Sequence, residues 1–565
     1  MNIRFQDYPF RSVAHRPAFL VGEGAAADWC ACGFGWLYAF NHEEAARCFR
    51  AALAADEGMA LAWWGVAMAG GPFMNMPWDW FTAAEKARSL PACHAAVQEA
   101  VTRCDTAPDV VRELIGALAQ RFPSPDVPEE GRLAASERAY ADAMVTVYER
   151  FGEDPDVAAL YIESQIMLTP WAIYDVDSKA PNPAGRAGPI HAALGQALAG
   201  ERDHRADTGH VGLLHYDIHV NEMSPCPERA LESARRLERL AAKDAGHLQH
   251  MPSHIYALMG DFDGAARCSH RAVDTDESFR PSLSHTPFYR TLLCHDAHML
   301  MFAGMQMGHL ADAARGTRVM ADLLLDVLVE PPATHMTMTL EGYLSTIPHV
   351  DIRFGRWQAV LDKVFEGDPS CQPVSWAMHH YARAVAGAAL GKIGVARQAA
   401  AAFAAARAAV PVGYVFFHNP AHDILAVADL MMRGEMAYHA GAAETAFDLL
   451  RRAAAAEDRL AYNEPRSWMH PPRHALGALL LERGRVAEAR AVYDCDLGRT
   501  DDLPISRQNR GNVWALAGLA ECLRRLGDPQ ADAAEDELAA ALRRADRVIS
   551  SSCFCRGSAP AAGAG

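Results

Sequence analysis

Seven histidines and one glutamate recur at helical spacing in the middle of the chain: His215-x3-His219-x2-Glu222, His247-x2-His250-x3-His254 and His295-x2-His298. His215 to His250 is a step of 35 residues, and so is His219 to His254. That step is close to the roughly 34-residue period of a two-helix repeat unit. A residue type returning at the repeat period forms a column on stacked helices. A column of imidazoles beside a carboxylate is a donor set for a metal ion.

Small residues set the register of the three central units. Ala265-x3-Ser269-x2-Ala272 fixes one, Ala230-x3-Ala234 the preceding one and Ala313-x3-Thr317 the following one. His247 and His295 then take the second position of the first helix of a unit. His215, His250 and His298 take the fifth, His219 and His254 the ninth, and Glu222 the twelfth. Steps of three, four and three residues keep these positions on one helix face. The pairs His215/His219 and His250/His254 are metal clamps by spacing, and His295/His298 is placed to close the site. Glu222 is expected as a ligand or a proton shuttle. Without a metal, so many ring nitrogens on one face would be hard to satisfy. An imidazole-rich groove for a peptide or a phosphate is the alternative.

Imidazole donors suit zinc, copper, iron and nickel. Cys268 and Cys294 are the only nearby thiols, whereas Met299, Met301, Met305 and Met307 follow the third cluster. Such a methionine stripe is more often packing than ligation. It still orders the expectation as copper first and iron second, with zinc third because no HExxH motif is present.

Other residues are expected on the substrate side. His42 lies in FNHEEA, where its plainer role is a turn or cap. Glu464, Arg473 and His474 lie in YNEPRSWMHPPRH, and Trp78 and Trp171 in aromatic loops, as pocket walls. Cys32 of the Cys30/Cys32 pair occupies a packing position, and Cys553/Cys555 sits in the C-terminal tail. No P-loop, GxGxxG, GxSxG or kinase signature appears.

These residues need a scaffold, and the repeat marks supply it. Trp29-x2-Cys32-Gly33-x2-Trp36 precedes Ala45-x3-Phe49-x2-Ala52, the spacing of a tetratricopeptide (TPR) unit. Gly387 with Ala399-x3-Phe403-x2-Ala406, Gly434 with Ala446-x3-Leu450-x2-Ala453, and Gly477 with Ala489-x3-Tyr493 repeat it. Trp514-x2-Ala517-Gly518 opens a degenerate last unit. Small residues let paired helices approach, and each pair leaves an apolar face for the next to cover. The expected fold is all-α: a TPR-type superhelix over residues 1–549, His-rich over about 205–330, with ordered loops inserted at 70–90 and 168–190. One continuous domain is expected, with soft joints near 105–130 and 366–376. Residues 550–565 read as a low-complexity, flexible tail.

The 565 residues carry a net charge of −17, which argues against a nucleic-acid partner. No apolar run of about 18 residues marks a membrane span, and no signal region opens the sequence. The 13 scattered cysteines suit a reducing, cytoplasmic setting.

Several stretches outside the general TPR consensus resemble a bacterial family of large TPR proteins. They are FNHEEAARCFRAAL, WWGVAMAGGPFMN, HVGLLHYDIHVNE, AGHLQHMPSHIYALMGDFDGA, CHDAHML, RFGRW and YNEPRSWMHPPRHALGALLL, spread over nearly the whole chain. The resemblance implies the helical-repeat fold. It also implies the importance of His42, His215, His219, Glu222, His247, His250, His254, His298 and His474. It carries no established reaction. The chain departs from the family at Val211-Gly212-Leu213, where Pro-Gly-Ala is usual, and at Leu293-Cys294-His295-Asp296, where Pro-His-Asn is usual. Both departures flank the histidines, which suggests a specialised substrate.

The expected function is a metal-dependent oxidoreductase acting on a small molecule or peptide in the concave groove. The alternative is a non-catalytic peptide-binding or metal-delivery protein, with a protein partner on the TPR surface.

Overall fold

The computed structural model describes residues 4–127, 131–201, 209–279, 286–324, 327–331 and 334–556. The chain is all-α and built from TPR-like helix pairs. The strands among the described residues are one antiparallel hairpin, Val415–Phe416 with Asn419–Pro420. No described helix is long and apolar enough to cross a membrane.

Where the sequence predicts one continuous domain, the chain divides into two compact units. The first comprises Met1–Ile255 and Arg271–Tyr289, and the second Tyr256–His270 and Arg290–Gly565. The divisions fall inside the helices Pro252–Met259, Phe262–Phe279 and Pro287–Met307. No composition shift or Pro/Gly run marks a boundary of that kind. The expected joint at 105–130 instead contains the helix Asp109–Arg121.

Both units repeat one packing device. In the first, Phe49 of helix His42–Ala55 faces Gly33 of helix Ala25–Tyr38 and Gly65 of helix Ala60–Gly70. A Cβ would sit 2.6 Å from the Phe49 ring at Gly33 and 2.4 Å from it at Gly65. In the second, Tyr493 of helix Val486–Asp496 lies against Gly477 and Gly518 in the same way, at 2.4 and 2.2 Å. The aromatic ring of each second helix thus needs glycine on both flanking helices, which is why the small-residue marks were readable.

In the first unit the two inserted loops are ordered. Phe73 bridges Met76, and Tyr174 bridges Pro181. A capping box at Thr82 and Glu85 starts helix Ala83–Arg103. Behind the first loop, the fully buried Arg121 makes a forked ion pair with Glu137, the geometry that compensates a desolvated guanidinium.

In the second unit, Met299, Met301, Met305 and Met307 are all buried in the apolar core. The stripe is packing and lends copper no support. The tail also departs from expectation, because residues 551–556 are packed. Ser552 donates to the His474 carbonyl at 2.8 Å, and Phe554 meets Trp514 edge-on. Cys553 and Cys555 are buried and joined by a disulfide. Low complexity hid these contacts because each is made by a single residue. Residues 557–565 lie outside the described residues.

Candidate metal centre

The centre is built on the helix Val211–Glu222 of the first unit. His210 caps it, its Nδ1 accepting from the Leu213 amide at 3.1 Å. A ring nitrogen that accepts leaves the other to donate, so His210 Nε2 donates to Asp156 Oδ1 at 3.0 Å. The same oxygen receives His15 Nε2 at 2.8 Å and the Tyr38 hydroxyl at 2.7 Å. Burial pushes the Asp156 carboxyl up, but hydrogen bonds from His15 and His210 outweigh it and hold the group ionised, well below its ordinary range.

Tyr38 ends helix Ala25–Tyr38, and its carbonyl oxygen lies 2.7 Å from His215 Nδ1. A carbonyl can only accept, so His215 Nδ1 carries the proton and Nε2 keeps its lone pair. That Nε2 is buried without a protein partner. Burial first, then His219 and His247, hold the His215 pKa well below its ordinary value, so the ring is neutral.

Glu222 applies the same logic to two rings. Its Oε1 lies 2.7 Å from His219 Nδ1, and its Oε2 lies 2.7 Å from His254 Nδ1. Both rings donate through Nδ1 and turn Nε2 lone pairs away from the carboxylate. Glu222 is expected as a ligand or proton shuttle. With each oxygen receiving a ring N–H, the structure gives it a positioning arrangement of the carboxylate–histidine–metal kind. His250 Nε2 lies 2.8 Å from His254 Nε2, and Ser253 Oγ lies 3.3 Å from His250 Nδ1.

The donor atoms of His215, His219 and His247 all lie within 4.8 Å of one another, and so do those of His219, Glu222 and His254. All five residues, with His250, are buried. Imidazoles converging beside the Glu222 carboxylate form a borderline cation site.

Sequence reading missed Phe40. Its ring lies 4.4 Å from His215 and 5.4 Å from His219, stacked on the latter. Phe40 adopts the left-handed region at φ 56°, where Gly391, Gly441 and Gly484 stand in the matching turns of other units. Non-glycine residues in that region are strained and cluster at functional sites. The signal was present: FNHEEA carries Phe where GAAETA and GRVAEA carry Gly.

Trp171, at φ 59°, meets His219 edge-on at 5.7 Å and donates through Nε1 to the Met74 carbonyl at 2.9 Å. The two inserted loops therefore join beside the imidazoles. His42 stacks on Phe73 at 3.7 Å, with its Nδ1 lacking a protein partner. Burial, aided by Arg121, lowers its pKa to about 3. Trp78 instead donates to Glu137 at 3.0 Å and braces the Arg121 pair.

His295, His298, Glu464, Arg473 and His474 belong to the second unit. His298 is fully buried between Tyr343 and Phe416. Glu464 precedes a cis peptide bond to Pro465. Arg473 forks onto Asp458 at 2.8 and 2.6 Å. His474 accepts from Arg353 and donates to Asp496 at 2.8 Å.

No protein-family model matches the sequence, and no curated protein matches it. Among solved structures it is similar to "Crystal structure of APC/C hetero-tetramer Cut9-Hcn1" at 11% identity and a TM-score of 0.23, with 92% of this chain and 96% of that chain covered.

Proposed function

We propose that this chain is a metal-dependent oxidoreductase whose metal is held in the first unit by His215, His219, His247, His250 and His254. The observation that carries the reading is the fixed tautomer of three rings. The Tyr38 carbonyl and the two Glu222 oxygens hold the Nδ1 protons, so three Nε2 lone pairs are directed elsewhere. Copper is the first candidate, iron the second and zinc the third, on the strength of an imidazole donor set. Bound there, copper or iron supplies redox chemistry with dioxygen as oxidant toward a small molecule or peptide. Glu222 and the Tyr38 carbonyl hold the rings in register. Phe40 and Trp171 exclude water from one side, and His42 stands nearby as a neutral polar group for substrate.

The second reading is a non-catalytic metal-delivery or peptide-binding protein, favoured by the TPR-like helix pairs, which commonly engage protein partners. Metal content separates the outcomes, measured on protein purified without a histidine tag beside His219→Ala and His254→Ala. Near-stoichiometric copper or iron, lost in both folded variants, supports the site. Oxygen uptake with a substrate panel then supports the enzyme. Retained metal that passes readily to a chelator without oxygen uptake favours delivery. No retained metal and no tight uptake on reconstitution overturns both metal readings.

A further inference from the structure

The second unit holds a buried cation that is built differently from its counterpart in the first. Arg121 and Arg353 are equally buried, each about 1% exposed. Arg121 is neutralised by the Glu137 fork. Arg353 makes no ion pair among the described residues. Its guanidinium lies 4.4 Å from the Trp514 ring, Nη1 donates to the Ser552 carbonyl at 3.2 Å, and Nη2 donates to His474 Nδ1. Its nearest acid, Asp496, is reached only through His474. Nε has no protein partner. Burial, offset only in part by Asp496, lowers the Arg353 pKa to about 9.

The surrounding groups are also unsatisfied. His349 lies one helical turn before Arg353 on helix Pro348–Arg353, so the two share a face. Its ring is 4.5 Å from Trp468 and 6.3 Å from Tyr381. Tyr381, on helix Pro373–Ala389, is 5.4 Å from Trp468. Trp468 donates to the His470 carbonyl at 2.7 Å, and the His470 ring feels the fields of Arg353, His474 and His349. His349 Nδ1, Tyr381 Oη and His470 Nδ1 have no protein partner, and all three residues are buried to 1% exposure or less. Glu435, beyond Tyr381, is equally buried with both oxygens unpartnered. Burial raises its pKa to about 8, so at neutral pH it is an acid that can donate.

Three unpartnered polar side chains around one tryptophan, a fourth near Tyr381 and an arginine short of a direct counter-charge are expensive to bury unless something answers them. A single metal ion is a poor fit. Among the described residues no three acid, imidazole or thiol groups of this cluster converge within 4.8 Å, as they do in the first unit. An oxyanion accepts from every donor present.

We propose that the second unit contains a separate binding site for a small oxyanion, the carboxylate or phosphate group of a metabolite-sized ligand, held by Arg353, His349, His470 and Tyr381 against Trp468. It involves none of the imidazoles proposed to hold metal and stands whether or not that reading does. Tyr381→Phe is the clean test because it removes only a hydroxyl that no protein group uses.

The experiment is titration calorimetry with thermal-shift measurement on the full chain. The probes are inorganic phosphate and succinate at constant ionic strength, with chloride as reference. Wild type is expected to bind at least one probe and to melt higher with it than in chloride. Phosphate binding alone assigns a phosphoryl ligand, and succinate binding alone a carboxylic acid. Tyr381→Phe and His349→Gln, with unchanged circular dichroism, are expected to bind about tenfold more weakly, the effect of one lost charge-assisted or neutral hydrogen bond. Arg353→Gln is expected to abolish binding. Equal binding by wild type and the first two variants overturns the proposal, as does no binding of either anion beyond chloride. Arg353 would then be a structural link between the packed tail and Asp496.

Discussion

The histidines of the first unit and those around Trp468 in the second are the same residue type, equally dry, and poised for opposite ligands. In the first unit the Nδ1 partners of three rings are acceptors: the Tyr38 carbonyl for His215, and the two Glu222 oxygens for His219 and His254. The protons are held behind, and lone pairs face forward. In the second, the charged group near both His349 and His470 is a cation, Arg353, and the Tyr381 ring lies 6.3 Å from His349. An imidazole's ligand preference is thus set by whatever holds its other nitrogen, a matter of packing rather than of the histidine itself.

The contrast between the two buried arginines can be broken most forcefully at Glu137. Glu137→Ala strands Arg121 in a site with no other acid bonded to it, and should cost about 3–5 kcal/mol, seen as a large loss of denaturation midpoint. Arg353, which has no forked acid to lose, has no equivalent variant. A wild-type-like midpoint for Glu137→Ala would mean that Arg121 is not held as described.

Glu222→Gln sharpens the positioning claim. The amide keeps the shape but can accept through only one oxygen, so one of the two Nδ1 protons loses its partner. Metal affinity should fall about 10–100-fold with the fold retained, read by competition with a chelator. An unchanged affinity would remove Glu222 from the centre.

A pH titration tests whether both regions are truly dry. His42 in the first unit, and His298 and His349 in the second, have pKa values lowered to about 3, chiefly by burial. The unfolded chain takes up their protons near pH 6.5, while the folded chain does so only near 3. Stability from these groups is therefore full above about pH 6.5 and falls as the pH drops through that window. Each should cost about 2 kcal/mol by pH 5. Denaturant midpoints measured from pH 7.5 to 5 on chelator-treated protein check this. A flat profile would mean that the rings are hydrated.

The smallest effect concerns the turn of the first unit. Phe40→Ala and Phe40→Gly both lose the ring, but only glycine is at ease at φ 56°. Phe40→Gly should be the more stable of the two by about 1 kcal/mol. The opposite order would show that the turn relaxes freely.

The helical fold was legible because glycine and aromatic marks are local and periodic, as Gly33, Phe49 and Gly65 illustrate. The histidine column was legible for the same reason: spacing alone puts His215, His219 and Glu222 on one face. What each ring's far nitrogen touches was not legible, because Tyr38 and Asp156 are distant in sequence. The role of Glu222 depended on that information. Phe40 was visible in principle as a phenylalanine in a glycine slot. The division of the chain inside helices, and the packing of residues 551–556, leave no compositional trace. Arg353 and Trp468 stood in the distinctive stretches RFGRW and YNEPRSWMHPPRH, yet nothing in either points to the other.

The shared carboxylate of Glu222 also has a mechanical consequence. A stack of helix pairs is a soft spring, because each pair grips only its neighbours. Glu222 pins His219 of its own helix to His254, 35 residues further along the chain, and works as a rivet across one coil of that spring. Under tension the chain would lengthen elsewhere first, and the imidazoles would keep their spacing while the array around them flexed.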